Sequence, residues 1–108
     1  MEYERITKDQ FEEIMDKLEG QSVWLEIRTD TISASIFYEE FEFLNFTDGK
    51  YQFGHLVYDE EHEYDNLRIN QHEIVNIHRN PFAPTVNAED IILEMNDDCT
   101  KLIVQYNY

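Results

Sequence analysis

ISASIFYEEFEFLNF at residues 32–46, then TDGK at 47–50 and YQFGHLVY at 51–58, decides the architecture. The first run is too long for one flat strand. Its apolar phase begins on even positions (Ile32, Ala34, Ile36) and continues on odd ones (Phe37, Phe41, Phe43). Side chains alternate between sheet faces, so the change of phase predicts a bulge or sharp bend near 37–40 that keeps one face inward. Asp48-Gly49 then centres a hairpin turn, because glycine tolerates the positive φ that tight hairpins need. Residues 51–58 return as the partner strand, and the bent hairpin is expected to form the centre of the fold.

Upstream, four local signals converge on a helix over 8–19. Thr7 and Gln10 have capping-box spacing, and Ile6 and Phe11 flank them as a hydrophobic staple. Phe11, Ile14, Met15 and Leu18 fall on one stripe, and Gly20 supplies the left-handed stop. The period then changes to two. Val23, Leu25 and Ile27 alternate with Trp24, Glu26 and Arg28, which predicts a strand over 22–28. Downstream, further strands are expected at 67–69 and 75–78 around a tight turn at 70–73. Asn80-Pro81 and Ala83-Pro84 force an extended connection, because a proline disfavours helix in the residue before it. A last hairpin joins 91–95 to 101–106 through Asn96 to Cys99. Together these elements predict one α+β domain over 1–108, its N-terminal helix packed on a strongly bent antiparallel sheet or a small five- to six-stranded barrel.

In the order of elements over residues 7–78, the chain resembles the Sm-like small barrels, which are SH3-like: a helix, a short strand, a long bent hairpin, then a tight crossing between two short strands. The resemblance implies a barrel. In that family, RNA binding uses polar and basic side chains in the loops after the third and fourth strands. Here those stretches are acidic (59–65) or mixed (70–73). Direct nucleic-acid binding is therefore not expected.

Charge bears on function directly. Of 108 residues, 24 are Asp or Glu and 8 are Lys or Arg, a net charge of −16. Nucleic acids and anionic membranes are bound by neutralising phosphates with Lys and Arg, so this balance argues against both as partners. The single Cys99 forms no intramolecular disulfide. No apolar run reaches the ~18 residues of a membrane span, and Met1-Glu2-Tyr3-Glu4 is unlike a basic leader, so a cytoplasmic location is the expectation.

The acids cluster. Between Tyr38 and Asp65 stand Glu39, Glu40, Glu42, Asp48, Asp59, Glu60, Glu61, Glu63 and Asp65, against Lys50 alone. With Tyr38, Tyr58 and Tyr64, and with Tyr51 if the outer aromatics are exposed, this belt is the candidate interaction surface. It suits a protein partner, and its charge would attract a basic one. Other uses are an acidic mimic of nucleic acid that inhibits a basic protein, or a metal site at His62 with Glu61 and Glu63 in the 59–65 loop. The loop lacks the ligand order of an EF-hand, and the chain has no H-E-x-x-H, so no metal or other cofactor is assigned. Asp97 and Asp98 beside Cys99 disfavour a thiolate, and three scattered glycines build no phosphate loop, so no catalytic residue is nominated. The expectation is a non-enzymatic protein-binding or self-associating domain. Residues 102–108, uncharged after Lys101, are expected to expose an edge strand suited to pairing with another copy.

Overall fold

Thr7 opens the helix as its spacing predicts. In the computed structural model, which describes residues 3–56, 66–80 and 90–106, the Gln10 amide donates to Thr7 Oγ1 at 3.2 Å. The Thr7 amide donates back to Gln10 Oε1 at 2.9 Å, satisfying two helix-end donors reciprocally. Helix α1 spans Lys8–Lys17, two residues short of the expected end, and Gly20 takes φ +80° just beyond it. The strands are β1 (Glu4–Arg5), β2 (Val23–Arg28), β3 (Ser33–Tyr38), β4 (Phe41–Asn45), β5 (Lys50–His55), β6 (Leu67–Asn70), β7 (Ile74–Arg79), β8 (Ile91–Met95) and β9 (Lys101–Gln105).

These strands form two antiparallel sheets. Six of them run in the order β1-β7-β8-β9-β2-β3, and three in the order β4-β5-β6. The chain crosses between the sheets at Glu39-Glu40 and again at a 3₁₀ turn, Gln71–Glu73. The fold is α+β, as expected, but the strands do not close into a barrel: the β8-β9 hairpin lies between β7 and β2.

The predicted bend is present, and its placement corrects two expectations. The phase changes between Tyr38 and Phe41, both fully buried, so Phe37 faces outward and Tyr38 inward. The bent segment also lies at a sheet margin, because β3 ends the six-stranded sheet. The C-terminal strand is likewise not an edge: β9 pairs with β8 on one side and β2 on the other. Leu102, Ile103 and Val104 are buried in succession, which requires cover on both faces. The uncharged run after Lys101 therefore belongs to a central strand.

The core lies between the sheets and under α1. Phe11 meets Phe43 edge-on at 5.8 Å and Tyr51 at 5.6 Å, seating the helix on the three-stranded sheet. Exposed polar contacts hold the same arrangement: Lys8 Nζ donates to the Gln71 carbonyl at 2.9 Å, and Gln71 Nε2 to Asn45 Oδ1 at 2.7 Å. Asn45 in turn donates to Glu12 on the helix.

Candidate interaction surface

The β2-β3 hairpin turns through Asp30-Thr31, held by the Thr29 side chain. Its hydroxyl oxygen accepts from the Ile32 amide at 3.1 Å, and the Thr29 amide donates to the Ile32 carbonyl at 2.8 Å. The register follows, with Arg28 opposite Ser33 and Val23 opposite Tyr38. Antiparallel partners alternate between bonded and non-bonded pairs, so with Thr29 and Ile32 bonded, β3 binds β2 through Ala34, Ile36 and Tyr38. The peptide groups of Ser33 and Ser35 point the other way, out of the sheet. The opposite end of the sheet agrees: Met95 donates to the Thr100 carbonyl at 3.1 Å, and the same alternation leaves Trp24, Glu26 and Arg28 bonded to β9.

This margin is neutral and exposed. Residues 31–38 carry no charge, Ser33, Ala34 and Ser35 are exposed, and Ile32 is 69 % exposed. On the outer face, Trp24 and Phe37 pair with ring centroids 4.7 Å apart, each about two-fifths exposed (41 % and 40 %). They occupy a non-bonded pair, where side chains approach most closely. Ile103 shares that face but is only 3 % exposed.

The residues expected to form the acidic surface are divided. Tyr38 and Tyr51 contribute none of it, since both are fully buried. Tyr38 donates to the Phe53 carbonyl at 3.4 Å. The Tyr51 phenol is pushed up by burial, and the Glu12 and Asp9 carboxylates push it further. Glu39 and Glu40 are exposed at the corner between the sheets, with Glu42 half-buried on β4. Their backbone is structural: Ser22 Oγ donates to the Glu39 carbonyl at 3.1 Å and the Leu56 amide to the Glu40 carbonyl at 2.7 Å. Tyr58, Asp59, Glu60, Glu61, His62, Glu63, Tyr64 and Asp65 lie outside the described residues.

Among the described residues, no group of three or more His, Cys, Asp or Glu side chains is arranged to hold a metal. His78 Nε2 instead meets Glu94 Oε1 at 2.5 Å across β7 and β8. Cys99 is exposed in its turn, where its amide donates to Asp97 Oδ1 at 3.2 Å. Bonds from the Thr100 hydroxyl, then from the Thr100 and Cys99 amides, hold the Asp97 carboxyl at about 2. Among the described residues, no helix is long and apolar enough to cross a membrane.

The acidic pattern of the sequence does not point to Ile32, Ser33, Ala34 and Ser35, which form this neutral margin. A signal was available: eight residues free of charge and proline, bounded by Asp30 and Glu39 in a strongly acidic chain. No family model, curated protein or solved structure matches the chain.

Proposed function

We propose that this domain acts by binding protein rather than by catalysis, and that the partner adds a strand to the open margin of β3. The supporting observation is the outward aim of the Ser33 and Ser35 peptide groups on a regular, uncharged strand. Strand addition takes affinity from main-chain bonds and specificity from alternate side chains. Ser33 and Ser35 offer four such bonds. At about 1 kcal/mol each these reach only millimolar binding. The flanking apolar groups, Ile32 on one face and Phe37 on the other, supply the remainder.

The acidic corner at Glu39-Glu40 gives the competing mode of contact, and the two separate experimentally. In affinity capture from a lysate of the source organism, a partner held by strand addition is lost with Ser35→Pro, which removes one outward donor. It is retained by Glu39→Gln/Glu40→Gln. The opposite pattern, with loss at moderate salt, would overturn the reading in favour of charge.

A further inference from the structure

We propose that the strand completing the β3 margin is β3 of a second copy, related by a two-fold axis at Ala34; this rests on the strand-addition reading above. Among the described residues, the other sheet margins are protected. β1 has two residues, both charged, and β7 carries a register shift between Ile74 and Asn76 where β1 no longer covers it. β4 is covered at one end, where Phe41 exchanges backbone bonds of 2.8 and 2.9 Å with Gly20 and Gln21, and it bears the charged Glu42. β6 is four residues long and bears Arg68. Short strands, charges and bulges are the usual protections of an edge, and β3 has none of them.

The sequence of β3 is complementary to itself in antiparallel register. About Ala34, Ser33 of one copy faces Ser35 of the other, so their outward groups form four backbone bonds. Ala34 meets its counterpart at the non-bonded position, where the two side chains approach most closely. Ile32, 69 % exposed in one copy, comes opposite the half-buried Ile36 of the other. Charge favours the same register. Each copy carries −16, and this pairing sets Asp30 against Tyr38 and Glu39 against Thr29, with no acid facing an acid. Moving the axis to Ser35 would set Asp30 against Glu40. The result is a two-fold dimer with one continuous twelve-stranded sheet.

Sedimentation velocity over a concentration series tests this. The wild-type chain is expected to dimerise reversibly, and more tightly as salt rises, because salt screens the repulsion between two acidic copies. Ile32→Lys and Ser35→Pro each weaken dimerisation by about tenfold or more, and each variant's melting curve reports whether it is folded. In a Cys99→Ser background, Ala34→Cys crosslinks under mild oxidation, while Ser35→Cys, whose counterpart faces Ser33, does so far less. A wild-type chain monomeric to about 1 mM overturns the proposal. So does a dimer indifferent to both edge variants, or one crosslinked better through Ser35→Cys. Failure by monomericity leaves strand addition standing if a lysate partner is still lost with Ser35→Pro. If that partner is indifferent to Ser35→Pro, both readings fall.

Discussion

Phe11→Ala is expected to cost about 3–5 kcal/mol of stability. The Phe11 ring is fully buried and is the helix's aromatic contact with the three-stranded sheet, meeting Phe43 at 5.8 Å and Tyr51 at 5.6 Å. Truncation loses the transfer free energy of the ring and leaves a cavity between rigid aromatics that collapse poorly. Domains of this size hold only ~5–15 kcal/mol in total, so the variant sits near the threshold of folding. Its melting temperature should fall by roughly 15 °C or more. Phe37→Ala is the matched control: the same chemical change on the outer face, at 40 % exposure, should cost well under half as much. Equal losses in thermal melts would contradict the assignment of Phe11 to the core and Phe37 to the surface.

Asp90→Ala is expected to cost about 2–3 kcal/mol, an unusually large value for an acid in so acidic a chain. Asp90 is fully buried at the entry to β8, and its Oδ2 accepts from the Tyr106 amide at 2.8 Å. Its carbonyl accepts from the Asn80 amide at 2.9 Å, joining the ends of β7, β8 and β9. Alanine retains the backbone bond but leaves the Tyr106 donor without its acceptor. Asp90→Asn keeps an acceptor oxygen and should recover a good part of the loss, as read by urea unfolding. Acids on the surface behave differently: with its charge in water, Glu39→Ala should change stability by less than about 0.5 kcal/mol. A surface-sized effect for Asp90→Ala would show that the carboxylate does not hold the three strand ends together.

What was legible in the sequence was local. Thr7, Gln10 and Gly20 act within a few residues of themselves, so the helix and its ends could be read from spacing. The alternation of Val23, Leu25 and Ile27 likewise reports one strand's buried face. Strand order is different, because it depends on contacts far apart in the chain. Nothing near residues 101–106 reveals that β9 will lie between β8 and β2, and the same lack of charge suits an edge or a centre equally well. The bend was legible as a change of phase, but whether Phe37 or Tyr38 turned inward depended on where the two sheets part. That single residue decided the candidate surface. With Tyr38 in the core, the exposed aromatic of the bend is Phe37, which stands on the neutral strand rather than in the acidic belt.

Strand addition at β3 depends on particular amide hydrogens, and residue-resolved hydrogen exchange tests it most directly. The Ala34 and Ile36 amides bond to β2 and should be protected at every protein concentration, whereas Ser33 and Ser35 should exchange freely in dilute solution. As concentration rises through the dimerisation range, the Ser33 and Ser35 amides should become protected together while the remainder of the sheet is unchanged. Ser33 and Ser35 amides that stay open throughout, or that are protected already in dilute monomer, would contradict it.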